Sequence, residues 1–327
     1  MMKEASVTKF MQSRAAGLIA AALAVAGGWW AYTCGGMERL DGFRGIVLAS
    51  PNLWIAKPEV SLWVNLGLNL LAACCMAALT NVSNLMRSSS ILYAGLFLVM
   101  QLGMPELLGQ FYGGTVMVLA AVVCSTMLFS CYDGAGGNRR IFMIFLLLSA
   151  GTLCLYPLAV MIPVFLLGMA QMKAMNGRSL TAAALGLITP AWILWGGGLV
   201  DGSDIHWPDF HSIFKGTDSA GAAQLITAAA VTVFTAVATW VMSLTKMIAY
   251  NARTRSMNGF LSLMTLAMIV MMAVDHDYML AYVPTLNFCA AYQAAHYVST
   301  RRHERGYVTV LSIISVYTLL YIWQTIG

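Results

Sequence analysis

The sequence predicts an all-α fold: a polytopic transmembrane bundle of about eleven helices, N-terminus cytoplasmic and C-terminus periplasmic. Three observations predict it. Only 9% of the 327 residues are charged, against about 25% in a soluble domain, too few to coat a water-facing surface. The apolar residues fall in continuous runs close to the ~20 residues a helix needs to cross a ~30 Å hydrocarbon core. A β-barrel would alternate instead. Finally, lysine and arginine sort to alternate loops, as the positive-inside rule requires.

Helices are expected at about 15–33, 60–80, 90–108, 112–131, 141–153, 155–172, 179–200, 222–245, 257–274, 278–298 and 306–325, within one integral membrane domain, 1–327. The first follows a basic start and carries an Ala24–Ala26 triplet, so it resembles a cleavable signal. Its apolar stretch continues through Trp29, Trp30 and Ala31, which is long enough to span, so a retained helix is expected. Residues 34–59 form the first outer loop. The "DGAGGN" at 133–138 is an inner turn and no phosphate loop, because it lacks the Gly-Lys-Ser/Thr ending.

The stretch "RRIFMIFLLLSAGTLCLYPLAVMIPVFLLGMAQMK" could be one long helix or a hairpin turning near "GTLCLYP". Gly151, Pro157 and Pro163 argue for interruption, and charge decides. With the hairpin, the inner segments hold Lys3, Lys9, Arg14, Arg87, Arg139, Arg140, Lys173, Arg178, Lys246, Arg253, Arg255, Arg301, Arg302 and Arg305. The outer segments hold Arg39, Arg44, Lys57 and Lys215. A single long helix would invert everything after it and spoil that sorting. Most carboxylates gather on the outer side: Glu38, Asp41, Glu59, Glu106, Asp201, Asp204, Asp209, Asp218, Asp275 and Asp277.

The second outer loop, 201–221, contains "DGSDIHWPDFHSIFKG". Pro208 can open a short helix and Gly216 close it, with Phe210, Ile213 and Phe214 on one face. This reads as an interfacial helix on the outer leaflet. A metal site is the weaker reading, because His206 and His211 are five apart rather than the four that align two ligands on a helix. No metal and no organic cofactor are expected. Cys34, Cys74, Cys75, Cys124, Cys131, Cys154 and Cys289 lie in or beside apolar runs without CxxC spacing, which argues against disulfides or a zinc centre. The basic residues form no patch for nucleic acid.

The stretch "NRRIFMIFLLLSAGTLCLYPLAVMIPVFLLGMAQMKAMNGRSLTAAALGLITPAWILW" resembles an uncharacterised family of polytopic inner-membrane proteins of Bacteroidetes-type bacteria, a domain of unknown function. The shared features are the Leu-Tyr-Pro step, an Arg-Ser opening the next helix, and Gly186 to Pro190 in a Gly-x-x-x-Pro. The late "DHDYMLAYVPTLNFCAAYQAAHYVSTRR" is also similar. The resemblance implies a multi-pass protein of the bacterial cytoplasmic membrane and brings no activity with it.

Candidate chemistry concentrates at the outer face. The first outer loop carries "MERLDGFRG". By analogy with membrane glycosyltransferases, Glu38 or Asp41 would act as the catalytic base on an acceptor hydroxyl. Arg39 and Arg44 would hold the phosphate of a polyprenyl-phosphate-linked sugar. The alternative is a solvated, self-paired loop. Glu106, Asp275, His276 and Asp277 would complete an outward acidic cup if they converge, since crowded carboxylates raise one another's pKa. Within the spans, Ser61, Asn65 and Asn69 form one polar stripe and Thr232, Thr235, Thr239 and Ser243 another. Asn287, Gln293 and His296 lie on the tenth helix. Such stripes join helices or line a pathway. The expected function is handling of a lipid-linked substrate at the periplasmic face in envelope glycan assembly, with membrane lipid as partner. A transporter or flippase-like protein, or a non-catalytic subunit of an envelope complex, are the alternatives.

Overall fold

The computed structural model of the chain describes residues 10–34, 45–83, 90–134, 137–198, 200, 205, 220–245, 251–275, 278–300 and 306–326. Among these every regular element is helical: α1 (Arg14–Cys34), α2 (Pro58–Ser83), α3 (Ser90–Leu102), α4 (Pro105–Gly109), α5 (Gly113–Phe129), α6 (Gly137–Cys154), α7 (Met161–Gln171), α8 (Gly177–Gly196), α9 (Ala220–Leu244), α10 (Ala252–Val274), α11 (Met279–Thr300) and α12 (Gly306–Ile326). Short 3₁₀ turns lie at Pro51–Leu53, Tyr132–Gly134 and Tyr156–Val160. Among the described residues six helices, α1, α2, α8, α9, α10 and α12, are long and apolar enough to cross a membrane. The segments Ser90–Leu102, Gly113–Phe129 and Tyr156–Gln171 are apolar but shorter. The interfacial helix expected at 208–216 lies outside the described residues.

Local chemistry sets the ends. Pro58 and Glu59 open α2, where a missing N–H costs nothing and negative charge meets the helix dipole. Asn176 and Ser179 cap α8 reciprocally, each side chain bonding the other's backbone N–H at 2.8 Å. Asn251 caps α10 through Thr254 N at 2.9 Å. The single helix expected over 90–108 is corrected. Helix α3 stops at Leu102, and α4 begins only at Pro105. Proline pushes the residue before it into extended backbone, and Met104 sits at φ −130°, ψ 81°.

Residues 137–171 form a hairpin. Leu155 is extended (φ −144°, ψ 101°), and Pro157 then starts the 3₁₀ turn. At the far side Asp133 N donates to Met172 O at 2.9 Å, so α7 returns to the level at which α6 begins. This turn is tight: Asp133, Gly134, Lys173 and Gly137 all have positive φ. Arg253 of α10 lies over the Tyr132 ring at 5.9 Å, and Arg140 donates to Ser130 O at 3.3 Å. One end of the bundle therefore carries Arg139, Arg140, Lys173, Arg178, Arg253 and Arg255; we call it the basic end.

Helix α11 is the axis. It packs against α3, α5, α9, α10 and α12, and every residue from Ala281 to His296 is buried. A helix covered by protein on all sides needs no lipid-compatible surface, which explains why it tolerates Asn287, Gln293 and His296. The outer helices show the opposite pattern. Leu18, Trp192, Phe234 and Leu319 are each 66–75% exposed on α1, α8, α9 and α12, a large apolar surface suited to lipid rather than water. Among the described helices α6 and α8 pack against each other most extensively. Gly186 permits it, since a Cβ there would lie 2.5 Å from Phe142 O and 3.0 Å from Leu146 N.

Candidate functional site

The end opposite the basic one is closed by a strap, residues 45–57. Val47 N and Leu48 N donate to Leu153 O, 3.2 and 2.9 Å, at the end of α6. Asn52 Oδ1 accepts from Gly113 N at 2.9 Å, satisfying one of the open donors at the start of α5. Trp54 donates to Ala49 O at 2.9 Å and lies beside Phe111. Gly45 is needed where the strap arrives, because a Cβ would sit 2.5 Å from the Cys154 carbonyl carbon.

The hairpin turn at 156–160 and the α10–α11 junction meet at this same end. The Tyr156 and Tyr278 rings lie 6.1 Å apart. Between the helices, Asp275 is only 1% exposed. Its N–H closes α10 onto Met271 O at 2.8 Å, and its Oδ2 accepts from Tyr282 OH at 2.8 Å. Tyr156 is within electrostatic reach of the same carboxylate, and Tyr278 is within reach of Tyr156 and Tyr282. Burying a carboxylate is costly without such donors. Among the described residues the most buried acidic group thus sits in a cluster of three tyrosines at the strap end.

Of the acidic residues expected in a cup, Asp275 occupies this cluster, and Glu106 is exposed in the first turn of α4. His276 and Asp277 lie outside the described residues, as do Glu38, Arg39, Asp41 and Arg44. In sequence, Arg44 directly precedes Gly45, the first anchored residue of the strap.

The polar stripes have definite partners. Asn65 is fully buried. Its amide donates at 2.8 Å to both Leu107 O and Leu108 O, capping the last carbonyls of α4, and its Oδ1 accepts from Thr115. Asn69 donates to Asn65 O at 2.9 Å and accepts from Gln101 Nε2 at 3.1 Å. Gln101 in turn accepts from Asn287 at 2.9 Å, and Tyr317 OH lies 3.5 Å from Asn287 Oδ1 and 3.4 Å from Thr232 Oγ1. This ladder ties α2, α3, α5, α9, α11 and α12 together. The α9 hydroxyls are engaged mainly at home: Thr235 donates to Val231 O at 2.8 Å and Thr239 to Thr235 O at 2.9 Å. Gln101, Tyr282 and Tyr317 were not singled out in the sequence. A lone amide within "LFLVMQLGMP" is the signal that marks Gln101.

Beside the ladder, a cavity of about 460 Å³ lies among α1, α3 and α12, lined by Leu23, Gly27, Trp30, Leu102, Thr318 and Tyr321. It sits in the half of α1 that leads to the strap. Tyr321 OH donates to Gly27 O at 2.9 Å. Among the described residues no group of three His, Cys, Asp or Glu is placed to hold a metal ion. The chain matches no protein-family model, no curated protein and no solved structure.

Proposed function

We propose that this is a protein of about eleven membrane crossings in the bacterial cytoplasmic membrane, its strap end facing the periplasm, which handles a polyprenyl-phosphate-type lipid-linked substrate there. The observation that carries the reading is the Asp275–Tyr282 pair with Tyr156 and Tyr278, at the same end as the strap. The "MERLDGFR" segment runs directly into that strap. In this reading Arg39 and Arg44 grip the phosphate, and Glu38 or Asp41 takes the proton of an acceptor hydroxyl. The substrate's hydrocarbon lies along the apolar cavity between α1, α3 and α12. Bilayer lipid surrounds the exposed apolar faces of the outer helices.

The transporter reading loses support from the ladder. Asn65 and Asn69 are saturated by Leu107 O, Leu108 O, Thr115 and Gln101, as groups that hold helices together are. The test is photolabelling in proteoliposomes with a diazirine-bearing polyprenyl-phosphate sugar. Crosslinks are expected in residues 45–57 and along the α1 cavity. Joint replacement of Arg39 and Arg44 by alanine should cut labelling about tenfold, the loss of roughly 1.4 kcal/mol of phosphate binding. Labelling spread evenly over α8, α9 and α12, or unchanged by the arginine replacements, contradicts the proposal.

A further inference from the structure

One side of α11 carries a seam, a row of polar and titratable side chains. At 3.6 residues per turn, Tyr282, Thr285, Cys289, Tyr292, Gln293 and His296 fall on the same side of the helix. From Tyr282 to His296 the seam rises about 21 Å, a large part of the ~30 Å hydrocarbon thickness. Its upper end is the buried carboxylate Asp275, bonded by Tyr282. Its lower end is buried His296, whose Nε2 lies 3.5 Å from Asn258 Nδ2 and whose ring stacks on Tyr292. Between them Gln293 Nε2 donates to Thr265 Oγ1 at 3.0 Å, and Cys289 shares that hydroxyl. Thr239 Oγ1 lies 3.5 Å from Gln293 Oε1.

Two hydroxyls stand in the gaps of this chain. Thr285 Oγ1 lies on the seam between Tyr282 and Cys289. Tyr93 OH comes from α3, its ring edge-on to Tyr292 at 5.6 Å. Both residues are fully buried, and neither oxygen has a hydrogen-bond partner among the described residues. Such groups carry a desolvation cost that native proteins meet with ordered water. Packing alone gives no reason to keep them, because phenylalanine and valine have nearly the same shapes.

From this geometry we infer that the seam is a proton-conducting column, with water seated at Thr285 and Tyr93, linking Asp275 under the strap to His296 near the basic end. A proton taken up by the Asp275 carboxylate passes by hydrogen-bond exchange along water and hydroxyl oxygens. Each oxygen accepts one proton and releases one, and the imidazole of His296 gives the proton up at the far end. One proton moves and nothing is oxidised or reduced. The inference does not depend on the lipid-linked substrate. The column has a buried titratable group at each end and only neutral groups between, the arrangement of an intramembrane proton relay.

The experiment is proton flux into proteoliposomes holding a trapped pH-sensitive dye, driven by a potassium diffusion potential. Wild type should exceed empty vesicles several-fold. Asp275→Asn and His296→Phe should fall to the empty-vesicle rate, Asp275→Glu should retain flux, and Ser312→Ala, whose exposed hydroxyl donates to Val308 O of its own helix at 2.8 Å, should match wild type. Tyr93→Phe and Thr285→Val are decisive, because they remove no hydrogen bond among the described residues and so should fold normally. Flux falling to the empty-vesicle rate in both, with unchanged thermal unfolding, is the expected result. Wild-type flux equal to that of empty vesicles, or unaltered flux in these two variants, overturns the column.

Discussion

Asn65 is the most exposing test of how the bundle is held together. Asn65→Leu keeps the volume but removes the two donations to Leu107 O and Leu108 O and the acceptor for Thr115. Side-chain hydrogen bonds inside membrane bundles average about 0.6 kcal/mol and reach about 1.7. Three of them put the loss at about 2–5 kcal/mol, with the upper part favoured because two carbonyls at the end of α4 and one hydroxyl are left buried without this partner. Asn65→Asp should be worse than leucine, because a carboxylate presents oxygen to both carbonyls and must be desolvated in an almost uncharged interior. Equilibrium unfolding in mixed SDS and mild-detergent micelles, followed by tryptophan fluorescence, reads both. An Asn65→Leu variant within about 0.5 kcal/mol of wild type, or an aspartate variant as stable as the leucine one, would refute the reasoning.

Other substitutions probe single contacts. Gly186→Leu drives a side chain into the Phe142 and Leu146 backbone, and overpacking of this kind costs about 1–3 kcal/mol; Leu185→Ala on the exposed face of the same helix should be near neutral by the same unfolding assay. Asn176→Ala removes the α8 cap and should cost about 1 kcal/mol, with Asn176→Ser recovering most of it. Gly45→Val cannot pack on Cys154, so the strap should lift, and limited proteolysis should then cut between 45 and 57 in the variant only.

Much of the backbone was readable because proline, glycine and charge act locally. Gly151 and Pro157 place a turn within a greasy run, and the arginines on either side fix its sense. The break at Gly103–Met104 was missed because the apolar pattern continues through Leu107 and Leu108. What ends α3 there is the step before Pro105, together with a cap from Asn65, 42 residues away in sequence. The polar stripe on α2 was visible from its spacing of four. Its partners were not, because an amide's partner is set by which helix packs alongside, and Gln101 joins Asn69 to a residue 186 positions later. Asp275 read as one of several outward carboxylates. Only the fold shows it buried under tyrosines from two other segments, Tyr156 and Tyr282. Residues 35–44 of the first outer loop and all of the 201–216 passage but Ile205 lie outside the described residues, so Glu38, Arg39, Asp41 and Arg44 remain sequence-based candidates.

The account turns on which end of the bundle faces the periplasm, and Cys34 reports it most directly. This thiol is exposed at the end of α1 that leads into the strap. A membrane-impermeant maleimide applied to intact spheroplasts should label Cys34, while Lys173→Cys at the basic end should react only after the membrane is opened. Labelling of position 173 from outside with Cys34 protected would contradict the orientation and remove the outward-facing site.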